Sequence, residues 1–212
     1  MIVAKVTVKG IRPLVVHHFV PEILDGRRKD RSGTAGNDPD EWKRTVLKTD
    51  RGQLYITPEY VFGCLREGAR HTRRGKGSIQ RDLVASLQVI DSRILIDRFV
   101  PRDLSGFVNA FDRPVYLDVR SVVNPTTRKR NIRYRVATSP GWSATFRIRW
   151  DRTIVSKEEM EAVIRDGGAY SGFGDGRSIG FGRFELIAFD AMEGGAHTPE
   201  KTTKRSLAKS AR

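Results

Sequence analysis

Cysteine is nearly missing from this sequence, since Cys64 is the only one among its 212 residues. A single thiol excludes an internal disulfide and a metal site built from cysteines alone, and its place in a helical pattern predicts a small buried residue. Long apolar runs are missing as well: with no stretch of about 18 apolar residues and no long basic amphipathic helix, a membrane is not expected as a partner. The first residues alternate like a strand and lack the layout of a signal peptide, which predicts a cytoplasmic location.

Acidic residues are too few to balance the basic ones. The chain has 39 Lys and Arg against 25 Asp and Glu, which gives a formal net charge of +14 and a pI near 10.4. Arginine suits phosphate because its planar guanidinium donates two hydrogen bonds at once. The balance therefore predicts a polyanionic partner, RNA or DNA. A basic surface that serves only solubility is the alternative.

Patterns of catalytic and metal-binding residues are also missing. His17 and His18 lie in an extended apolar stretch, and neither they nor His71 and His197 have the spacing of metal ligands. Carboxylate pairs, a P-loop and a dinucleotide fingerprint are not recognisable. No catalytic residue, metal ligand or cofactor is therefore predicted, and the chain is expected not to be an enzyme. One alternative keeps His17, His18 or His71 as the general base of an endoribonuclease.

The spacing of apolar residues predicts strands around two main helices. A first helix begins at Pro58, and a second follows the capping box of Ser156 and Glu159. The segment 83–99 is predicted to form one long strand or two strands joined by a turn near 91–93. Strand periodicity also covers 1–9, 52–57, 114–123, 131–137, 142–150 and 184–189.

The order of these elements predicts the fold class α+β, with a ferredoxin-like, RRM-like βαββαβ core. One domain is expected over 1–190. It contains a mobile loop at 25–40, a basic β-hairpin inserted at 113–137 and a glycine-rich loop before the last strand. Residues 191–212 are polar, basic and without periodicity, so a disordered tail is expected there.

The stretch 119–150 contains no Asp or Glu but is rich in arginine and aromatic residues. Proteins that hold single-stranded nucleic acid typically bind its phosphates with cations and stack its bases on aromatic rings. Strand periodicity assigns Phe146 and Trp150 to the core instead. Close cations at a hairpin tip repel one another unless an anion is near. The predicted RNA-binding residues of this stretch are Arg120, Arg128, Lys129, Arg130, Arg133 and Arg135.

A second basic patch lies on the polar side of the helix that begins at Pro58, and a solvated helix face is its alternative explanation. Phosphate contacts of this kind position a strand without reading its bases, so no sequence specificity is expected. The predicted RNA-binding residues of the patch are Arg66, Arg70, Arg73, Arg74 and Lys76.

Glycine accounts for seven of the sixteen residues from 167 to 182, which read GGAYSGFGDGRSIGFG. Glycine permits positive φ and exposes backbone amides, and consecutive exposed amides form an anion-binding nest. Arginines add charge, and two phenylalanines add stacking surfaces. A hinge between helix and strand is the alternative. The predicted RNA-binding residues are Gly172, Phe173, Gly174, Gly176, Arg177, Ser178, Gly180, Phe181 and Arg183.

Two segments carry a resemblance to a known family. The helix entry LYITPEYVFGCLREGAR and the run GFGDGRSIGFGRFEL resemble the RAMP proteins, the repeat-associated RNA-binding proteins of CRISPR effector complexes. The closer similarity is to the backbone subunits, which polymerise along a guide RNA. The resemblance maps the family's glycine-rich loop onto 172–182, its thumb-like hairpin onto 115–136 and its mobile insertion onto 25–40. The chain is short for a backbone subunit, and no cleavage residue of the family can be placed in it.

The resemblance implies an RRM-like core, RNA held without sequence readout and head-to-tail oligomers. The expected function is non-catalytic binding of single-stranded, guide-type RNA in antiviral defence. The expected partners are further copies of the chain, head to tail or in a filament, and other subunits of a CRISPR-like effector complex. A single-stranded DNA-binding or annealing protein for recombination is one alternative, and an endoribonuclease that processes guide RNA is another. The sequence does not separate RNA from DNA, because no reader of the 2′-hydroxyl is recognisable.

Overall fold

The computed structural model describes residues 1–18, 38–123, 128 and 130–193. A π-helical turn (Gly167–Ser171) and a 3₁₀ turn (Arg177–Ile179) precede the last strand. The α-helices are α1 (Glu41–Thr45), α2 (Pro58–Gly68), α3 (Gln80–Ser86) and α4 (Lys157–Asp166). The strands are β1 (Ile2–Gly10), β2 (Leu14–Val16), β3 (Gln53–Ile56), β4 (Arg73–Arg74), β5 (Gly77–Ser78), β6 (Gln88–Val89), β7 (Ile94–Phe99), β8 (Val115–Val123), β9 (Arg130–Thr138), β10 (Ser143–Trp150) and β11 (Phe184–Glu193).

The larger sheet has six strands in the order β11, β1, β10, β7 and β3, with β6 also paired to β10. Neighbouring strands run antiparallel. Alternate residues of β1, from Ile2 to Val8, are buried, which confirms the strand periodicity predicted for this segment. The other side of β1 carries exposed Lys5 and Lys9 on an open face of the sheet.

Helices α2 and α4 pack on the buried face of this sheet and against each other. Helix α4 begins with the predicted capping box: the Glu159 amide donates to Ser156 Oγ at 3.2 Å, and the Ser156 amide donates to the Glu159 carboxylate at 2.8 Å. Cys64 of α2 is fully buried beside Gly167, as its helical position predicted. Burial raises the pKa of the Cys64 thiol to about 12.

The smaller sheet has three strands in the order β2, β9 and β8. Strands β8 and β9 pair antiparallel along their length, from Val115 opposite Thr138 to Val123 opposite Arg130. Their residues are buried where the pair joins the rest of the fold and exposed at the far end. The predicted hairpin is therefore a projecting arm, and β8, β9 and their connection are called the arm below.

Three local predictions differ from the structure. The segment 83–99, predicted as one strand or as two joined by a turn near 91–93, contains the two strands β6 and β7, but its start belongs to α3 instead. Ile79, Leu83 and Leu87 share helical spacing there and are all buried. Residues 73–78, where no strand was predicted, form a hairpin of β4 and β5. Strand β11 continues to Glu193, beyond the predicted end at 189 and into the first residues of the predicted tail.

The fold class is α+β with a mainly antiparallel larger sheet. The predicted loop at 25–40 lies outside the described residues except for 38–40, and so does the predicted tail beyond Glu193. Of the helices in the described ranges, none combines the length and the apolar character needed to cross a bilayer.

Candidate nucleic-acid interface

Arg135 lies at the base of the arm and is almost completely buried, with 6% of its surface exposed. Its guanidinium donates to Asp118 on β8 and to Asp175 in the glycine-rich segment, each at 2.8 Å. Asp118 itself has no exposed surface. A cation enclosed between two carboxylates is already paired inside the protein and is not accessible to a phosphate. The prediction of Arg135 as an RNA-binding residue is therefore corrected.

Arg120 and Arg133 are the next cations along the arm, and each has a carboxylate partner too. Arg120 donates to Asp118 at 2.6 Å, and its guanidinium lies 4.8 Å from the centroid of the Phe181 ring. Arg133 pairs with Glu41 of α1 at 2.6 Å. The two arginine side chains remain 37% and 34% exposed. Their contact with RNA stays a prediction. The ion pair of Arg133 joins the arm to α1, whereas that of Arg120 lies within β8.

Arg128 and Arg130 lie at the tip of the arm and are exposed. Neither side chain forms a hydrogen bond or an ion pair with another residue in the described ranges. Val122 and Val123 are also exposed near the tip, at 41% and 43%, so the tip offers cations beside apolar surface. Neighbouring cations without internal partners repel each other and gain most from a nearby polyanion. Lys129, predicted with them, lies outside the described residues.

The glycine-rich segment uses most of its backbone amides inside the chain. The amides of Asp175 and Gly182 donate to the carbonyls of Val15 and Pro13 at 3.0 and 2.6 Å, and the Phe173 amide donates to the Gly182 carbonyl at 3.0 Å. An anion-binding nest needs free amides that converge on one point. The predicted nest is therefore corrected. Amides of the segment that also have partners are those of Gly172, Gly176, Ile179, Gly180 and Phe181.

Glycine is required in this segment by backbone conformation and close packing. Five glycines between 172 and 182 have φ from +70° to +88°, a region that other residues rarely adopt. A Cβ on Gly174 would overlap the Val15 carbonyl, and one on Gly182 would overlap the Phe173 carbonyl. Phe173 and Phe181 are 0% and 6% exposed. These two rings, predicted as stacking surfaces for bases, are instead packed inside the protein.

Arg177 is the cation of the glycine-rich segment that approaches α2. Gly63 of α2 has no side chain, and this leaves room for the guanidinium. The Nη1 atom of Arg177 lies 3.7 Å from the position that a Cβ of Gly63 would occupy. Ser178 is exposed beside it. The buried Nε of Arg183 has no hydrogen-bond partner in the described part of the chain. Arg177 therefore joins the surface of the segment to that of α2.

Arg74, predicted as part of the basic patch beside α2, is fixed by carboxylates. It pairs with Asp82 and Glu159, each at 2.6 Å, and also donates to the Ile154 carbonyl at 2.8 Å. These contacts attach the β4–β5 hairpin to α3 and α4. The same contacts raise the pKa of Arg74, chiefly through its hydrogen bond to Glu159. RNA binding by Arg74 stays a prediction.

The other members of this patch are more open. Arg66 and Arg70 share the single carboxylate of Glu67, at 3.3 and 3.0 Å, and their side chains remain 48% and 62% exposed. Arg73 and Lys76 are exposed and form no ion pair with another described residue. One carboxylate among four cations leaves this part of the surface positive.

His17 is a histidine that contacts the arm. Its Nε2 is 2.9 Å from Nη2 of Arg133, and its carbonyl accepts a hydrogen bond from the Tyr60 hydroxyl. The same Nε2 lies 3.9 Å from the Glu41 carboxylate, so His17 stands beside the ion pair of Arg133 and Glu41. His18 instead bonds the Thr45 carbonyl at 2.9 Å. No group of three or more His, Cys, Asp or Glu side chains that could hold a metal ion occurs among the described residues.

The ion pair of Asp175 with Arg135 predicts that the fold depends on pH in acid. Burial opposes ionisation of its carboxyl group, but Arg135 and the Gly176 amide outweigh burial and hold the pKa below its usual range. Because the folded pKa lies below the unfolded value of about 3.9, the pairing stabilises the fold above that value and is lost as the pH falls through the folded pKa.

We expect the free energy of unfolding to fall below about pH 4 and to fall less steeply in Asp175→Asn, which has no carboxyl group to titrate. Urea unfolding at a series of pH values measures both curves. Identical acid dependence in the two proteins would contradict this assignment of the charge.

Sequence reasoning did not find the carboxylates that neutralise the cations of the arm, namely Glu41, Asp118 and Asp175. One signal was present for Asp118. Asp118 directly precedes the stretch without acidic residues, and it follows the apolar residues Val115, Tyr116 and Leu117 on the same strand. A carboxylate next to such apolar residues needs a cation as a partner. No comparable signal marks Glu41, which reaches the arm from a separate helix.

No protein-family profile and no curated protein matches this chain. Among solved structures it is similar to a chain from the type III-B Cmr-beta complex bound to cognate target RNA, with 12% sequence identity and a TM-score of 0.48. The similarity covers 91% of this chain and 61% of that chain, so this chain spans about three fifths of the other's length. A likeness of this size assigns neither fold nor function.

Proposed function

We propose that this chain binds single-stranded RNA of the guide type through its phosphates and without reading its sequence. One observation carries the proposal: arginines at the base of the arm are paired with carboxylates, whereas Arg128 and Arg130 at its tip are exposed and have no such partner in the described ranges. Cations without internal partners are available to neutralise phosphates. The net charge of +14 adds attraction at long range.

The proposed path of the RNA continues from the tip toward the glycine-rich segment and α2. The ion pair of Arg135 and Asp175 joins the arm to the glycine-rich segment, and Arg177 of that segment lies against α2 at Gly63. Residues 63 and 66 are three positions apart and share one face of α2, and Arg70 follows two residues after the end of this helix. The surface from the tip of the arm through Arg177 to Arg66 and Arg70 is called the basic track below.

A ferredoxin-like core is part of the proposal. Strands β11, β1, β10 and β7 stand side by side, and in chain order they are the fourth, first, third and second strands of a βαββαβ unit, with α2 after the first and α4 after the third. Strand β3 and the arm are then additions to this unit. Cores of this type occur in RNA-recognition domains.

The proposed setting is an oligomeric, CRISPR-like ribonucleoprotein in which the chain is a non-catalytic subunit. The resemblance of 54–70 and 172–186 to the RAMP proteins supports this setting. Copies arranged head to tail would join their basic tracks into a longer surface for one RNA strand, with other effector subunits as further partners.

Arg128→Ala combined with Arg130→Ala tests the tip of the arm. We expect weaker RNA binding, and a plot of log affinity against log salt that is shallower by about 1.4, because each phosphate contact on a single strand contributes about 0.7. Fluorescence anisotropy with a labelled RNA oligonucleotide at several salt concentrations measures both quantities.

Lys5→Ala combined with Lys9→Ala is the matched control, because it removes the same charge from the open face of the larger sheet. Its slope is expected to stay close to that of the unchanged protein. If the slope is unchanged in the tip variant, or if it falls equally in both variants, the RNA does not bind at the tip of the arm.

The same titration with a DNA oligonucleotide of equal sequence decides the ligand class. A preference for RNA supports the proposal, and a preference for DNA would replace it with a single-stranded DNA-binding or annealing protein. Labelled RNA that stays intact with and without Mg²⁺ supports a non-catalytic role. Cleavage that disappears in His17→Ala would establish an endoribonuclease instead.

A further inference from the structure

The end of α2 and the π-helical turn after α4 are held together in direct contact. A Cβ on Gly68 would meet the backbone nitrogen of Gly167 at 2.5 Å, so only glycine allows this approach. Beyond α2, the Thr72 hydroxyl donates to the Asp166 carboxylate at 2.6 Å. The Gly172 amide donates to the Gly167 carbonyl at 2.8 Å and closes the turn. Single π-helical turns are rare and frequently occur at functional sites.

This contact places two aromatic side chains next to each other on the surface. The ring centroids of His71 and Tyr170 are 4.6 Å apart, and the ring planes are tilted by 37°. Tyr170 has 56% of its surface exposed, and His71 is exposed as well. Neither residue belongs to the described hydrophobic core. The pair therefore leaves aromatic surface in water, where another flat ring can cover it.

Cations lie beside the aromatic pair. Arg70 directly precedes His71, and its side chain is 62% exposed. Arg73 follows two residues after His71 and is exposed without an ion pair in the described ranges. The end of α2 at Gly68 lies roughly 7.5 Å along the helix axis from Gly63, where Arg177 approaches the helix, since each residue advances by about 1.5 Å, and Arg70 follows two residues later. The pair therefore stands at the end of the basic track opposite to the arm.

We propose that His71 and Tyr170 form a stacking platform for an unpaired base of the bound single strand, with the phosphates next to that base on Arg70 and Arg73. The inference rests on the proposed function and extends it from phosphates to bases. Every base has a flat π face, so stacking adds affinity without adding sequence preference. Basic residues interleaved with rings are the arrangement by which single strands are held in general.

Tyr170→Ala is expected to weaken binding of a single-stranded RNA oligonucleotide about tenfold. The salt dependence of binding is expected to stay unchanged, because the substitution removes no charge. Tyr170→Phe keeps the ring and is expected to bind like the unchanged protein. His71→Ala removes the other ring, and His71 is not part of the π-helical turn. This variant is also expected to bind RNA more weakly.

Phe99→Ala is the matched control, since Phe99 on β7 is also an aromatic residue with 56% of its surface exposed. It is expected to leave affinity unchanged. A second readout uses oligonucleotides that carry 2-aminopurine, whose fluorescence falls when the base stacks. We expect quenching on binding to the unchanged protein and less quenching with Tyr170→Ala.

The outcomes separate this inference from the function on which it rests. Failure of the unchanged protein to bind RNA or DNA would overturn the proposed function. Binding that weakens in the variant of the arm tip but not in Tyr170→Ala or His71→Ala would overturn the platform alone. An equal loss in Phe99→Ala would also overturn it, because exposed rings in general would then be responsible. Thermal unfolding of each variant establishes that the fold is retained.

Discussion

Replacing Arg135 with methionine is expected to lower the free energy of unfolding by about 3 kcal/mol, because removal of one partner of a buried ion pair leaves an uncompensated charge. Asp118 has no exposed surface and would keep only Arg120, while Asp175 would lose its ion pair. Methionine retains much of the aliphatic volume, so the loss reports on charge pairing more than on a cavity. Urea unfolding at neutral pH measures the change.

Arg130→Met is the control for this prediction, since Arg130 lies on the same strand but is exposed. Its effect is expected to stay within about 0.5 kcal/mol. Adding Asp118→Asn to Arg135→Met is expected to restore part of the stability, because the unpaired buried charge is then removed as well. A loss in Arg135→Met no larger than in Arg130→Met would show that this ion pair does not hold the arm.

Gly182→Ala is expected to destabilise the fold by more than about 4 kcal/mol, an unusually large effect for one methyl group. Gly182 has a φ of +72°, and a Cβ there would overlap the backbone of Phe173. Its amide and its carbonyl both form hydrogen bonds, to Pro13 and Phe173, so the backbone cannot move away without losing them. Thermal and urea unfolding measure the loss.

Gly180→Ala separates the two causes of that effect. Gly180 also has a positive φ, +85°, but no atom lies within 4 Å of the place where its Cβ would stand. In Gly180→Ala only the left-handed backbone conformation is unfavourable, so the free energy of unfolding is expected to fall by about 1–2 kcal/mol. The difference between the variants measures the close packing at Gly182. Equal losses would mean that backbone conformation alone requires glycine in this segment.

Much of the fold could be predicted because its strands alternate cleanly. The alternating residues of β1 and β10 are buried as expected, including Phe146 and Trp150. One exception is α3, where two periodicities overlap in one short stretch. Leu87 and Val89 favour a strand, while Ile79, Leu83 and Leu87 are spaced for a helix, and only tertiary packing decides between them.

The candidate site was predictable in its location but not in its chemistry. Charge composition marked the arm and the glycine-rich segment, yet it could not show which arginines are neutralised. Arg135 meets Asp175 across 40 positions of chain, a distance at which sequence gives no pairing information. Glycine density predicted unusual backbone conformations correctly. It could not reveal that the amides are already bonded to β2 and within the segment.

The state of Cys64 makes site-specific labelling of this protein straightforward. Its thiol is fully buried with a pKa of about 12, so the fraction present as thiolate at neutral pH is negligible. Alkylating reagents attack the thiolate. A cysteine introduced at an exposed position such as Ser178 would therefore react alone in the folded chain. A fluorophore or a cross-linker can then be attached beside Arg177 while the native cysteine remains in place.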